Sequence, residues 1–308
     1  MKQLKDIRVL LSLTSLVVLL VIIWLQSDIF IKGTNALLDA QLDVSALAVL
    51  FSLLAVVPAA AVYQLLSPKK LRWQRTLLVQ QASSFTGKLL PAGTGGMATM
   101  GRYLVTQKLS TVQATSIVSV NNLTSFIAIN ALTIGGVAAS RQPLSKTLNM
   151  EISTTAFFII TGVIGILIVL AILPGKQSKL KKSAQEFWKT YLAAISHGWR
   201  FLAAITCASG ITLCFVVCLY FSGQAFGISL SFLQALLVLT IGVAAAAVTP
   251  TPGGLGGAEL GLMAALRAVG VGEEAALPTA LLFRFTSYWL PMIPGFVALQ
   301  IALKNKYL

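Results

Sequence analysis

The chain is predicted to be an all-α polytopic membrane protein, with about six full transmembrane helices and two re-entrant helical hairpins in an inverted repeat. Three observations predict this. Hydrophobic residues make up 56% of the 308 and charged residues only 10%, and mean hydropathy is +0.85, a balance found in multi-span membrane proteins rather than soluble domains. The apolar residues gather in runs, several of them near the roughly 20 residues that a bilayer crossing needs. Two of these runs are interrupted by the same small-residue pattern, Pro91-Ala92-Gly93-Thr94-Gly95-Gly96 and Pro252-Gly253-Gly254-Leu255-Gly256-Gly257.

Taken in order, the first run is 9–25. It follows Lys2, Lys5 and Arg8 and has the outline of a signal peptide, but Trp24-Leu25-Gln26-Ser27 offers no small-x-small cleavage site, so it reads as a retained anchor helix. Full spans follow at 44–66, 116–139, 152–173, 201–221 and 275–303. The runs 76–90 and 232–248 are too short to span. Each runs into one of the breaks and is followed by another short helix, 97–108 or 258–269, so each pair is drawn as a hairpin that dips to mid-membrane and returns.

The match between the breaks is ungapped. Pro91 and Pro252, Gly93 and Gly254, and Gly96 and Gly257 all lie 161 residues apart, and Gln113-Ala114 falls on Glu274-Ala275 at the same offset. In hydrocarbon, non-helical backbone survives only where it is buried in protein or lines a wet cavity, because each unsatisfied N–H or C=O costs several kcal/mol. A paired interruption therefore points to a binding site between two repeats. Repeat 1 covers about 44–139 and repeat 2 about 201–303, within a single membrane domain, 1–308.

Cytoplasmic loops collect Lys and Arg. Lys2/Lys5/Arg8, Lys69/Lys70/Arg72/Arg75, Lys176/Lys179/Lys181/Lys182/Lys189/Arg200 and Lys304/Lys306 mark one side; Asp28, Asp39, Asp43, Glu151, Glu273 and Glu274 mark the other. Both termini are then cytoplasmic, the membrane is the cytoplasmic (inner) one, and the two hairpins enter from opposite sides. The net charge of +14 is explained by orientation and anionic lipid headgroups rather than nucleic acid. The linker 176–200, with Phe187, Trp188, Tyr191, Leu192, Ile195 and Trp199 among its charges, reads as an amphipathic helix on the inner leaflet.

Cys207, Cys214 and Cys218 share roughly one helix face, but the sole histidine, His197, sits near the surface and no acid accompanies the thiols. No metal and no cofactor is expected, and the cysteines read as small packing residues. Apart from Glu259, no carboxylate lies in a predicted membrane segment, which leaves an enzyme few acids or bases; no enzymatic activity is expected.

The charges left inside the membrane are Lys88, Arg102, Glu259 and Arg284, with Arg267 nearer the outer surface. Charges at depth face a cavity or pair, and mark function by default. Glu259 and Arg284 are the expected pair. It either pins hairpin to span or belongs to a site. The helices that start near Gly96 and Gly257 place N–H groups and dipole ends at mid-depth, which favours an anion. With Lys88, Arg102 and Arg284, the constellation suits a phosphate headgroup, and equally other anions. Thr94, Thr249 and Thr251 read first as local caps of broken helix ends; Asn121 and Asn122 either line the cavity or bond between helices.

The run Val248-Thr249-Pro250-Thr251-Pro252-Gly253-Gly254-Leu255-Gly256-Gly257-Ala258-Glu259 resembles the hallmark of the lysylphosphatidylglycerol synthase transmembrane, or flippase-like, family. Leu90-Pro91, Gly96 and Arg102-Tyr103-Leu104 resemble that family's first-half motif, and the likeness covers nearly the whole chain. The resemblance implies movement of aminoacylated phosphatidylglycerol between leaflets, or of lipid-carried sugars as in archaeal relatives. It places Pro252, Gly254, Gly256, Glu259 and Arg284 in a second-half site, and Pro91, Gly96 and Arg102 in a first. Lys88, Gly93 and Gly257 join them from the breaks themselves. Where the family's first motif usually carries an acidic residue after the glycine, this chain has Met97-Ala98. The chain reaches Leu308 soon after the last span, so the expectation is the membrane domain without the soluble aminoacyl-transferring domain, and no lysyl-lipid synthesis by this polypeptide alone. The expected function is translocation of a phospholipid or polyprenyl-linked lipid. The alternative is a non-transporting scaffold for a separate synthase or glycosyltransferase.

Overall fold

The computed structural model describes residues 40–140 and 181–308, together with Ile31 and Leu38. The predicted spans 9–25 and 152–173, and the linker residues 176–180, lie outside the described residues. What is described is helical, with no strand beyond one isolated bridge.

Helices α1 (Leu42–Leu54) and α2 (Val56–Leu66) form one apolar rod interrupted at Ala55. Pro58 is the cause, since it has no N–H for the Leu54 carbonyl and its ring crowds that oxygen. Next come α3 (Trp73–Leu89) and α4 (Thr94–Thr106), packed against each other as a hairpin, and the long α5 (Thr111–Ser140). Helix α6 (Lys181–Ser196) leads through His197 into α7 (Gly198–Gln224). The second hairpin is α8 (Phe232–Val248) with α9 (Gly257–Ala268). The chain closes with α10 (Glu273–Arg284), a π-helical turn (Phe285–Trp289) and α11 (Met292–Lys304).

Four helical stretches among the described residues are long and apolar enough to cross a membrane: Leu42–Leu66, Thr111–Ser140, Gly198–Gln224 and Glu273–Lys304. They coincide with the four predicted full spans that fall within the described residues. The stretch at 273–304 departs from the uniform helix expected over 275–303, because its middle winds into the π turn. Helix α4 also starts at Thr94 rather than 97, because Gly93, in the left-handed region at φ +69°, already caps it and its carbonyl accepts the N–H groups of both Gly96 and Met97.

The ends of the bundle differ in charge. At one end Lys69 donates to the Lys108 carbonyl, Thr106 Oγ1 to the Tyr307 carbonyl at 3.0 Å and Ser110 Oγ to the Glu186 carboxylate at 2.6 Å. This end gathers Lys70, Arg72, Arg75, Lys304 and Lys306. At the other, the Gln41 N–H donates to Ala225 O at 3.3 Å, Gln234 Nε2 to Val269 O at 3.2 Å, and Arg267 pairs with Glu273 at 3.5 Å. The α3–α4 hairpin therefore begins and ends at the basic end, and α8–α9 at the opposite end. Their tips meet between: Pro91 lies antiparallel to Pro252 in the isolated bridge. Neither proline has an N–H to give, so of the two kinds of antiparallel pair this is the one without bonds between the facing residues.

The π turn shapes the core around this meeting point. The Leu290 N–H reaches back five residues to Phe285 O at 2.9 Å, which leaves Thr286 O without its helical donor. Ser52 Oγ of α1 donates to it instead, at 2.8 Å and fully buried. Ser287 O has no helical donor either, because residue 291 is proline. Lys88 Nζ of α3 donates to it at 3.1 Å and to Tyr288 O at 2.9 Å.

Ser52→Ala leaves the Thr286 carbonyl orphaned in an apolar interior, at a cost of about 1–3 kcal/mol. The expected result is a lower midpoint of thermal unfolding in detergent, with Ser52→Thr retaining most of the wild-type value.

Candidate functional site

The two breaks share a backbone conformation at the same spacing as their sequences. Ala92 and Gly93 have φ of +53° and +69°, and the residues 161 positions later, Gly253 and Gly254, have +60° and +66°. Two consecutive left-handed residues turn each hairpin tip. At Gly253 the requirement is double, since a Cβ there would also stand 2.1 Å from Tyr288 Cε2. Both hairpins end alike, with left-handed residues Lys108 and Gly270 closing α4 and α9 through six-to-one bonds, Leu109 N to Leu104 O and Val271 N to Leu266 O.

Glu259 stands in the first turn of α9 and Arg284 at the end of α10, both almost fully buried. The expected pair forms: Arg284 Nε donates to Glu259 Oε1 at 2.7 Å. The other carboxylate oxygen accepts the Gly256 N–H at 2.7 Å, the reach of a first-turn glutamate back to the residue capping its own helix. Arg284 Nη2 donates to Gly253 O at 3.2 Å, and the guanidinium lies 4.4 Å from the centre of the Tyr288 ring. The same ring faces the Lys88 ammonium at 5.4 Å, and its hydroxyl donates to Lys88 O at 2.9 Å. Lys88, Tyr288, Arg284 and Glu259 thus form one connected group, with an aromatic ring between two cations and one carboxylate.

The remaining predicted residues fall in three places. Pro91 and Pro252 face each other at the tips, Gly93 and Gly256 cap α4 and α9, Gly257 opens α9, and Gly254 turns the second tip. Gly96 is buried against α3, where Ser83 Oγ donates to its carbonyl at 2.9 Å. Arg102 is not brought to the cluster. It lies eight residues into α4, exposed, beside a separate cavity of about 460 Å³ shared with Met97, Ala98, Thr111 and Thr115. Helical spacing accounts for this, since eight residues carry it about 12 Å from the α4 start. The expected anion position at the α9 N-terminus is occupied by the chain's own Glu259 carboxylate. The threonines cap locally: Thr94 Oγ1 donates to Pro91 O, Thr249 Oγ1 to Ala245 O and Thr251 Oγ1 to Leu255 O. Asn122 reaches α4, where its Nδ2 donates to the Met97 thioether sulfur, Sδ, at 3.7 Å.

Exposure separates the two breaks. Pro91, Ala92 and Thr94 are exposed at mid-molecule, whereas Gly254, Leu255, Ala258 and Glu259 are buried. Sequence reasoning missed Tyr288 and Ser52. The available signal for Tyr288 was its place one helical turn after Arg284 and three residues before a proline.

A family model described as the lysylphosphatidylglycerol synthase TM region matches residues 10–295. The chain belongs to that family. Relatives of this family member include a UPF0104 membrane protein of Pyrococcus horikoshii, 30% identical over 132 residues, 43% of this chain and 38% of that protein. A phosphatidylglycerol lysyltransferase of Staphylococcus aureus is 34% identical over 77 residues, 25% of this chain and 9% of the enzyme. The matches thus span less than half the length of either relative. Family membership and the four long apolar helices make the chain a multi-pass membrane protein.

Glu259→Gln or Arg284→Gln alone leaves its partner buried and unmatched, a loss of about 3–5 kcal/mol. The double variant is expected to be less destabilised than the two losses added, and a thermal double-mutant cycle in detergent measures the difference.

Proposed function

We propose that the protein is a lipid translocator of the cytoplasmic membrane, moving a phospholipid or lipid-linked headgroup between leaflets without altering it chemically. In this reading both termini are cytoplasmic, the α3–α4 and α8–α9 hairpins are re-entrant from opposite faces, and they belong to two inverted repeats, about 44–139 and 201–303.

The observation that carries the reading is the meeting of the two tips. Pro91 faces the residue 161 positions later, with matching left-handed turns beside each, which is the relation that a two-fold axis through the contact requires. Non-helical backbone at mid-depth, lined by buried charge and open on one side, is the arrangement that transporters use for substrate sites. The exposed first break is where a headgroup gains access, with the α4 N-terminus facing its phosphate. The Lys88–Tyr288–Arg284–Glu259 group holds the second break and the π turn in place behind it. Family membership supports a lipid as the cargo, since the family and the staphylococcal relative both carry phosphatidylglycerol in their descriptions.

The test is leaflet exchange of headgroup-labelled lipids in liposomes that hold the purified protein. Phosphatidylglycerol, lysylphosphatidylglycerol and a polyprenyl-phosphate sugar are compared, with Arg284→Gln at equal density of folded protein. Headgroup-selective exchange, reduced at least about tenfold in the variant, is expected if Arg284 holds the second tip in its working geometry. No exchange of any lipid by folded wild-type protein overturns the proposal in favour of a scaffold that recruits a separate lipid-modifying enzyme.

A further inference from the structure

The basic end of the bundle holds a cavity that the paired breaks do not use. It measures about 1440 Å³ and opens between α2, α3, α7 and α11. Lys70, Arg72 and Arg75 line it on the side of the α2–α3 loop, and among the described residues no Asp or Glu does. Among the described residues the ion pairs are Arg267–Glu273 and Glu259–Arg284, so none of these three cations is matched by a carboxylate there. Arg75 is held in position by Tyr307, whose ring centre lies 4.7 Å from its guanidinium carbon. Further along the helices the wall turns apolar, with Leu65, Leu78, Ala203, Cys207 and Ile301. Trp73, 42% exposed at the same mouth, is the residue type that settles at the headgroup level of a bilayer.

Three unmatched cations at the rim and an apolar wall below them complement an amphiphile. A free anion leaves the wall uncovered, and a neutral lipid leaves the cations unmatched. We infer that this cavity is a binding site for an anionic phospholipid of the adjoining leaflet. Lys70, Arg72 and Arg75 hold its phosphodiester, and an acyl chain lies against Leu78, Cys207 and Ile301. Basic pockets between membrane helices take lipid headgroups in this manner. The site is separate from the Glu259–Arg284 group, and the inference does not rest on translocation.

Full-length protein, delipidated in a neutral detergent, is titrated with phosphatidylglycerol, phosphatidylcholine or glycerol 3-phosphate, and binding is read by native mass spectrometry and by the shift in thermal midpoint. The expected result is a bound phosphatidylglycerol that raises the midpoint, with phosphatidylcholine and glycerol 3-phosphate far weaker. Arg72→Gln/Arg75→Gln is expected to weaken binding about thirty-fold, from two lost headgroup contacts. Arg72→Lys/Arg75→Lys retains most of the affinity, and Lys189→Gln/Lys306→Gln, which removes the same charge elsewhere on this end, leaves it unchanged. Equal binding of phosphatidylcholine, equal binding of glycerol 3-phosphate, or equal loss in the two glutamine variants overturns the inference. The lipid comparison needs only wild-type protein, so a poorly folded variant does not decide the matter.

Discussion

The Lys88 ammonium, donated to the carbonyls of Ser287 and Tyr288, is the contact on which the centre of this protein depends. A helix in apolar surroundings cannot simply be interrupted, because every carbonyl that loses its helical donor needs another. Between Phe285 and Pro291 the last long helix loses donors to Thr286 by the π register and to Ser287 by the proline. Ser52 and Lys88 supply the replacements from two different helices. The interruption therefore ties α1 and α3 to the final segment while setting Tyr288 between Lys88 and Arg284. A lysine whose charge is spent on backbone oxygens and an aromatic face is costly to bury, yet each of its contacts answers a need created by the break.

The two hairpin tips solve the same backbone problem with different chemistry. Both turn through consecutive left-handed residues, and both helices that leave them begin from a glycine cap. The second tip is closed by a first-turn glutamate, which answers its own helix start and receives an arginine in return. The first has Met97-Ala98 after the corresponding glycine, so nothing acidic neutralises its helix end. It is also the exposed tip. Equivalent geometry with unequal charge means that one side of the contact is internally satisfied, while the other keeps its polar backbone toward whatever approaches.

Much of this arrangement was legible in the chain itself. The four long apolar runs, the two short ones and the Pro-Gly breaks follow from hydropathy and from residues that cannot continue a helix. The Glu259–Arg284 pairing followed from the cost of leaving either charge alone at depth. Arg102 did not follow, because sequence offers its depth but not its azimuth; on a helix apolar on most sides, nothing marks which face turns inward. Tyr288 and Ser52 escaped for a related reason. Their roles depend on carbonyls freed by a change of helical register, and a freed carbonyl leaves no signature in residue type. Pro291 did signal an interruption, but not that a lysine nearly 200 positions earlier would answer it.

A π turn is an α-helix carrying one residue too many, and its effect persists beyond the turn as a change of phase. In α10 a buried row runs through Ala276, Ala280 and Phe283; continued at 3.6 residues per turn it would turn Ser287, Pro294, Ala298 and Ile301 inward. Tyr288, Gly295, Leu299 and Ala302, each one place later, are buried, while Ser287 is half-buried and Pro294 and Ile301 are exposed. One surplus residue thus rotates the whole of α11 by about 100° relative to α10. It delivers Gly295 to the closely packed face against Phe85 and Gln81 of α3 and turns the branched side chains outward. The sequence of the last helix is written in the frame that this insertion sets, so its glycine and its lipid-facing branched residues are in register with their surroundings only while the count between 285 and 289 is kept.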